Sequence, residues 1–184
     1  MNSWDKMDSV CECNAFVLGN NDEKLLKGLA NAGPDHGKFL RMLPVYADIT
    51  APLYWWPEYD TYKVGTVANS CSRMHKIHAK EFVLSDFSVD RMKPSYKFTL
   101  VNKVIPDLNH ARDRFLATNS KDEWDSMIQM LPSSYNQRRT VMVNYAVLKN
   151  QYHARKNHKL QEWRDYCEWV ETLPLARQLI IGEE

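Results

Sequence analysis

Apolar and polar residues alternate early in the chain and then recur at helical spacing. Residues 11–21 alternate loosely and end in turn residues, which is typical of a strand. A helix is predicted next, because Asn21 or Asp22 can cap its start and leucines line one face. Gly33, followed directly by a proline, would stop this helix. The pattern therefore predicts a strand and then an amphipathic helix.

Prolines divide the apolar stretch that follows. Residues 38–56 are rich in strand-forming residues but are broken by Pro44 and Pro52. They predict one or two strands, with a turn to a new element at Ala51-Pro52. Residues 100–105 fit two structures, a strand or part of a helix, and the pattern leaves both open.

Helical periodicity dominates the last third of the chain. Ser120 and Glu123 have the spacing of a capping box, and Pro132 would end the helix that they begin. Two further amphipathic helices are predicted, separated by a slip near Lys156 and ending before Pro174. Their apolar faces are formed by Val141, Tyr145, Leu148 and Tyr152 and by Leu160, Trp163, Cys167 and Val170.

Strands in the first third and helices later indicate an α+β or mixed α/β fold. The sequence shows no internal repeat and no linker that would mark a domain boundary. Its 184 residues suit one domain with a core of its own. We therefore expect a single domain over residues 1–184.

Composition narrows the functional classes. The net charge of +1 gives no support for a nucleic-acid surface, which would need a clear excess of Lys and Arg. No apolar run approaches the roughly 20 residues of a membrane span, and the N-terminal residues lack a secretory pattern, so a cytoplasmic protein is expected. Cys11 and Cys13 lack a second pair at zinc-site spacing, and His75 and His78 alone rarely bind a metal, so no metal is predicted.

Residues 61–74, T-Y-K-V-G-T-V-A-N-S-C-S-R-M, place hydroxyls between a Tyr-Lys pair and an arginine. This stretch resembles the R-H-R-x-x-S-x-N-E-x-S-x-R-Y signature of the flavin-dependent thymidylate synthases. Arg73 is identical, Thr66 stands at the first Ser, and Lys63 keeps the charge of the second Arg. Flanking positions of that family also correspond in order and spacing, although Glu58 stands where the family has a Gln and its negative charge would repel a phosphate; they are His36, Pro52-Leu53, Glu58, Leu131-Pro132, Tyr135, Val143-Asn144, Ala154-Arg155 and Leu160-Gln161.

The resemblance implies a fold and a chemistry. Members of that family form an α/β domain, with a mixed sheet flanked by helices and two long C-terminal helices, that assembles as a homotetramer. Their sites lie at subunit interfaces and hold FAD beside deoxyuridine monophosphate (dUMP). A flavin reduced by NADPH helps to move a one-carbon unit from methylenetetrahydrofolate to the uracil ring. For this chain the implied function is binding of FAD and/or a pyrimidine nucleotide, with or without that reaction.

The resemblance also assigns candidate site residues, with the catalytic residues unknown. The substrate-binding candidates are Arg73, Lys63, Thr66, Glu58 and Cys71. The cofactor-binding candidates are His36, Tyr62, Lys63, His153, Arg155 and Gln161. We expect Arg73, Lys63, His36 and Arg155 to converge, across neighbouring subunits, into a cationic slot for an anionic planar ligand. The aromatic residues Trp55, Trp56, Tyr59 and Tyr62 could stack on it, although Trp55-Trp56 is more typical of a core or an interface.

The signature also departs from the family pattern, which leaves alternatives open. Thr61 and Tyr62 replace its first Arg and its His, Ala68-Asn69 replaces Asn-Glu, and Ala146 replaces an Arg. Losing charged hydrogen bonds weakens phosphate binding, so a catalytically inactive nucleotide-binding protein is the first alternative. An oligomeric structural or partner-binding protein without a small ligand is the second.

Overall fold

The computed structural model describes residues 6–13, 15–70 and 73–182. Backbone contacts divide the chain into two compact units that are both discontinuous in sequence. Unit 1 takes its residues from the chain up to Tyr46, from Tyr62–Val67, and from Met142 onwards. Unit 2 consists of Ala47–Thr61 and Ala68–Val141. The prediction of a single domain stays a prediction.

The described strands are β1 (Val10–Glu12), β2 (Ala15–Val17), β3 (Pro44–Pro52), β4 (Val67–Ser70) and β5 (Asn136–Asn144). The described α-helices are α1 (Asn20–Asn31), α2 (Trp56–Tyr59), α3 (Arg73–Lys76), α4 (Pro94–Thr99), α5 (Ile105–Thr118), α6 (Lys121–Met130), α7 (Tyr145–Arg155) and α8 (Gln161–Glu171). Shorter 3₁₀ turns cover Gly37–Met42 and Leu84–Asp86, and π-helical turns cover Leu100–Val104 and Arg177–Ile181. The fold is therefore mixed α/β, as predicted.

Two small sheets are present in the described residues. Strands β1 and β2 pair antiparallel, with Val10 opposite Val17. The second sheet has the order β3-β5-β4, so β5 lies in the middle. The single strand predicted for residues 11–21 is wrong in detail, because that stretch forms a hairpin followed by the start of α1.

The start of α1 is held by side chains of the segment before β1. The Asp8 carboxylate accepts hydrogen bonds from the backbone N–H of Asn21 at 3.0 Å and of Asp22 at 3.1 Å. The Asp22 carboxylate in turn accepts from the backbone N–H of Ser9 at 3.0 Å. The Ser9 side chain, followed by backbone hydrogen bonds, lowers the pKa of Asp22. The helix is confirmed, but the prediction that Asn21 or Asp22 caps it is wrong, since Gly19 is the N-cap and Asp8 supplies the acceptor.

In unit 1, α7 and α8 carry the buried residues Tyr145, Val147, Leu148, Gln151, Tyr152, Trp163, Tyr166, Cys167 and Val170. The two helices are tied together by the Tyr152 hydroxyl, which donates to Glu171 at 2.7 Å, and by the Tyr166 hydroxyl, which donates to Gln151 at 2.8 Å. Both predicted C-terminal helices are confirmed. The first begins only at Tyr145, because Val141 lies in β5.

The core of unit 2 is built by α5, α6 and the loops that pack on them. Its buried members are Ile77, Phe82, Phe87, Val89, Leu100, Ile105, Leu108, Ala111 and Met127. Residues 100–104 are a π-helical turn between α4 and α5. Of the two structures predicted for this stretch, a strand or part of a helix, the helix is therefore confirmed. α6 is confirmed, but the capping box is wrong because Ser120 makes no side-chain cap bond. Glu123 instead accepts from Arg114 Nε at 2.6 Å.

Candidate functional site

Residues 62–67, which carry part of the signature, form a braced turn in unit 1. The Thr66 hydroxyl donates to the Tyr62 carbonyl at 3.1 Å. The Asn144 side-chain amide donates to the carbonyls of Val64 at 3.2 Å and Gly65 at 3.3 Å. Gly65 has a φ of 68°, which glycine adopts without strain, and a Cβ there would lie 3.1 Å from Asn144 Nδ2. The turn is thereby fixed to the start of α7.

Asn144 also caps α7 itself. Its Oδ1 accepts from the backbone N–H of Val147 at 3.1 Å, and the residue is only 4% exposed. Asparagine is a favoured N-cap because a short side-chain acceptor satisfies an otherwise unpaired N–H group of the first turn. One buried side chain therefore orders both the first turn of the helix and the signature loop.

Arg155, the last residue of α7, meets the same loop at its other end. Its Nε donates to the Tyr62 hydroxyl at 3.0 Å. Its Cζ lies 5.2 Å from the centre of the Trp163 ring and 5.7 Å from that of Tyr62. The two rings contact each other edge to face at 6.2 Å. A guanidinium beside aromatic rings gains a cation–π attraction, which is strongest on tryptophan.

Further cationic or ionisable side chains contact these residues or are next to them in the chain. The His158 ring lies 6.3 Å from that of Trp163. Lys63, next to Tyr62 in the braced turn, is exposed. Lys156 follows Arg155 directly, with its Nζ 5.8 Å from the Tyr152 ring. Unit 1 thus places an arginine, two lysines and a histidine near the ends of α7 and the turn, a charge pattern that suits an anionic ligand.

The structure brings Tyr62, Thr66 and Arg155 together and gives other candidates local contacts. His36 is exposed and precedes the 3₁₀ turn Gly37–Met42. His153 Nε2 lies 2.9 Å from the carbonyl of Ile180. The Gln161 side chain donates to Asp165 and accepts from Arg164, so it has partners within its own helix. Cofactor roles for His36, His153 and Gln161 stay predictions.

The remaining candidates belong to unit 2 or lie outside the described residues. Glu58 is half-buried in α2, and its carbonyl accepts from the Thr61 hydroxyl at 2.8 Å. Arg73 begins α3, and the structure describes only its backbone, while Cys71 lies outside the described residues. The predicted convergence of Arg73 with Lys63, His36 and Arg155 therefore stays a prediction.

Three of the four aromatic residues considered for stacking belong to the interior. Trp55 and Trp56 are 1% exposed and Tyr59 is 4% exposed. The Trp55 ring stacks on that of Tyr59 at 4.9 Å and meets Trp56 edge to face at 5.0 Å. A buried ring that packs against its neighbours presents no face to a ligand. The stacking hypothesis is therefore wrong for these residues in this structure, and their core interpretation holds.

Sequence reasoning missed residues that the structure shows to be important. Arg139 forms an ion pair with Asp60 at 2.9 Å, and its Cζ lies 4.1 Å from the centre of the Trp56 ring. Arg139 therefore packs against one ring of the buried aromatic cluster of unit 2. In unit 1, Trp163 was assigned only to an apolar helix face, and Asn144 only to a sequence match. The signal for Asn144 was its residue type, since asparagine is a typical N-cap, although the predicted helix included this position and the observed helix begins directly after it.

This architecture is similar to that of solved structures. The crystal structure of flavin-dependent thymidylate synthase ThyX from Helicobacter pylori, complexed with FAD and dUMP, matches with a TM-score of 0.71 over 90% of this chain and 85% of that chain, at 17% identity. A second structure of ThyX from the same organism, with FAD and dUMP, matches with a TM-score of 0.70 over 88% and 82%, at 18% identity. This chain has the ThyX fold. The fold implied by the sequence resemblance is confirmed.

At these identities the similarity establishes the ThyX fold alone. The sequence matches no protein-family model and no curated protein. Among the described residues no helix has both the length and the apolar character of a membrane span. Within the same residues no group of three or more His, Cys, Asp or Glu side chains could hold a metal ion.

Proposed function

We propose that this protein binds FAD, a pyrimidine nucleotide such as dUMP, or both, on a divergent ThyX scaffold. The observation that carries the proposal is the position of Arg155, whose guanidinium is held by the Tyr62 hydroxyl beside the Trp163 ring. The two solved ThyX structures with this fold both contain FAD and dUMP. Both molecules carry planar rings and anionic phosphates, so a cation beside aromatic side chains suits either of them.

The residues of unit 1 fit a phosphate-bearing ligand. Arginine is the side chain best shaped for phosphate, because its planar fork can donate two parallel hydrogen bonds. Lys63 is exposed one residue from Tyr62 and adds a second positive charge. Trp163 is fully buried, so it supplies packing against Arg155 and excludes water from one side, while stacking on the ligand falls to other groups. A partly dry surrounding strengthens the attraction between a cation and a phosphate.

Reductive one-carbon transfer to dUMP, or to a related nucleotide, is the reaction that this scaffold would support. A bound flavin would supply the reducing equivalents, with NADPH and methylenetetrahydrofolate as co-substrates. The chain's own residues would bind the phosphates and orient the rings. We propose a homotetramer as the working assembly, because the resemblance implies sites shared between subunits.

A second candidate is a nucleotide-binding protein without turnover, which sequesters or senses its ligand. The local role of Thr61 favours this second candidate. Thr61 stands where the synthase signature has its first arginine, and here its hydroxyl closes the last turn of α2 through the Glu58 carbonyl at 2.8 Å. Ala146, in the first turn of α7, likewise replaces an expected arginine with a side chain that cannot bind phosphate. Both changes remove charge at positions that the reaction is expected to need.

The binding proposal is tested by isothermal titration of the full chain with FAD and with dUMP. Wild-type protein should bind at least one of them saturably. Arg155→Met should weaken that affinity about 10- to 100-fold, because a charged hydrogen bond contributes roughly 1.5–3 kcal/mol. Arg114→Met is a matched control, since the Nε of Arg114 is already bound by the Glu123 carboxylate. Equal affinity of wild type and Arg155→Met would contradict the proposed site.

Turnover separates the two candidates. The assay is formation of thymidylate from dUMP with FAD, NADPH and methylenetetrahydrofolate present, and mass measurement by light scattering gives the assembly state. Product above the rate of a reaction without protein supports the enzyme. Saturable nucleotide binding without product supports the binding protein.

A further inference from the structure

Arg155 ends a helix, yet its side chain is held from two sides within unit 1. The Tyr62 hydroxyl accepts from its Nε at 3.0 Å, and the Trp163 ring lies 5.2 Å from its Cζ. An arginine side chain that is free to rotate loses conformational entropy when it becomes fixed, more than most other side chains do. Contacts that fix it before a ligand arrives reduce the cost that binding would otherwise carry.

Tyr62 is itself placed by the braced turn. Its carbonyl accepts from the Thr66 hydroxyl at 3.1 Å, and the Asn144 side chain donates to the carbonyls of Val64 and Gly65 in the same turn. The backbone of the turn that carries Tyr62 is therefore tied to the start of α7, while the Tyr62 hydroxyl contacts the last residue of the same helix. Tyr62 is half-buried, which limits competition from water for its hydrogen bond to Arg155.

The chemistry of the contact separates Tyr62 from an ion-pair partner. A phenol hydroxyl is neutral at neutral pH, so it satisfies one donor of the guanidinium and leaves its positive charge in place. A carboxylate in the same position, such as the one that Glu123 presents to Arg114, would neutralise the charge. Holding Nε with a neutral acceptor orients the guanidinium without reducing its attraction for an anion.

We propose that Tyr62 is a positioning residue, which orients Arg155 for the phosphate of a bound nucleotide or flavin. This inference rests on the proposed function, and it gives Tyr62 a role through Arg155 in place of direct cofactor contact. The position corresponds to the histidine of the synthase signature. The hydrogen bond from Arg155, which is 93 positions further along the chain, is the observation that assigns the positioning role to Tyr62.

The test is a double-mutant cycle with FAD and dUMP as the ligands. Tyr62→Phe keeps the ring and removes the hydroxyl, and it should weaken binding about 5- to 10-fold. In the Arg155→Met background the same change should alter affinity less than about 2-fold, because a residue that acts through Arg155 has no effect without it. Tyr152→Phe is the control. It also removes a tyrosine hydroxyl, but one whose hydrogen bond joins α7 to Glu171 of α8, and it should leave affinity unchanged.

The outcomes distinguish this inference from the proposed function. A wild type that binds neither ligand removes both. A wild type that binds, with Tyr62→Phe equally tight, or with the same factor in both backgrounds, overturns the positioning role and leaves the binding function standing. Equal weakening by Tyr152→Phe would mean that Tyr62 only supports the helix pair, which also overturns the positioning role.

Discussion

Replacement of Asn144 by alanine would remove two sets of hydrogen bonds from one buried position. The side chain accepts from Val147 N at 3.1 Å, which caps α7, and donates to the carbonyls of Val64 and Gly65 at 3.2 and 3.3 Å. Loss of an N-cap costs about 1 kcal/mol, and each neutral hydrogen bond contributes about 1 kcal/mol. We expect Asn144→Ala to lower the free energy of unfolding by about 2–3 kcal/mol, which lowers the Tm by roughly 5–10 °C in a chain of this size.

Asn144→Asp separates the two functions of this side chain. A carboxylate still accepts from Val147 N, and its negative charge is favourable at a helix start. It cannot donate to the carbonyls of Val64 and Gly65, and its oxygens would repel them. We expect α7 to stay capped while residues 62–67 lose their support, so affinity for FAD or dUMP should fall in both variants. Loss of the two hydrogen bonds to Val64 and Gly65 should also lower the free energy of unfolding in Asn144→Asp, by about 2 kcal/mol, so the two variants differ mainly in the first turn of α7.

Hydrogen exchange measured by mass spectrometry reports on the two regions separately. Peptides covering residues 62–67 should exchange faster in both variants, and peptides covering the first turn of α7 should exchange faster only in Asn144→Ala. Circular dichroism gives the Tm of each protein. An alanine variant within about 0.5 kcal/mol of wild type, or an aspartate variant with unchanged exchange in residues 62–67, would refute the account of the braced turn.

Two further predictions test the structure outside the site. Gly19→Ala should release the segment before β1 and destabilise the protein by about 1–3 kcal/mol, because its Cβ would overlap the Asp8 carboxylate. Gly28→Ala has open space around its Cβ and should instead stabilise the protein by roughly 0.5–1 kcal/mol. Thermal unfolding measures both variants, and the opposite order of stability would contradict the packing. Cys167 should resist iodoacetamide at neutral pH until denaturant is added, because burial, together with a nearby carboxylate, raises its pKa to about 11. The exposed Cys11 and Cys13 of the β1–β2 hairpin should react under the same conditions. Fast labelling of Cys167, measured by mass spectrometry, would show that α8 is not packed as described.

Much of the fold could be predicted from local patterns, and the exceptions have physical causes. Helices α1, α6 and α8 have apolar faces and clear stop signals, so their existence followed from periodicity. Strand β5 was missed because Val141 and Tyr145 are four residues apart, a spacing that fits a helix and also an alternating strand. Its alternation of buried residues, Gln137, Val141 and Val143, is interrupted by polar neighbours. A buried glutamine in the middle strand of a sheet gives no hydrophobic signal.

Tertiary contacts also overrode local signals. The capping box at the start of α6 fails because Arg114, from the neighbouring helix, binds the carboxylate of Glu123. Arg114 brings a full positive charge to the carboxylate, whereas the box would offer Glu123 only an uncharged backbone N–H donor, so the distant partner wins. No sequence pattern announces such a pairing, since it depends on how two helices pack.

The candidate site was predictable in part. The resemblance singled out Tyr62, Thr66 and Arg155, and the structure brings them together in unit 1. The contact between Tyr62 and Arg155 could not be predicted, because it joins residues 93 positions apart, and the synthase signature that residues 61–74 resemble has a histidine where this chain has Tyr62. The burial of Trp163 beside Arg155 was likewise hidden within an ordinary amphipathic pattern.

The central claim is that a cation held beside aromatic side chains in unit 1 binds an anionic planar ligand. Titration of the purified full chain with FAD, followed by the visible absorbance of the flavin in the presence and absence of dUMP, tests it most directly. The account predicts a saturable change in the flavin spectrum that Arg155→Met shifts to much higher FAD concentration. Spectra that equal the sum of free FAD and protein at every concentration, with dUMP also failing to bind, would contradict it.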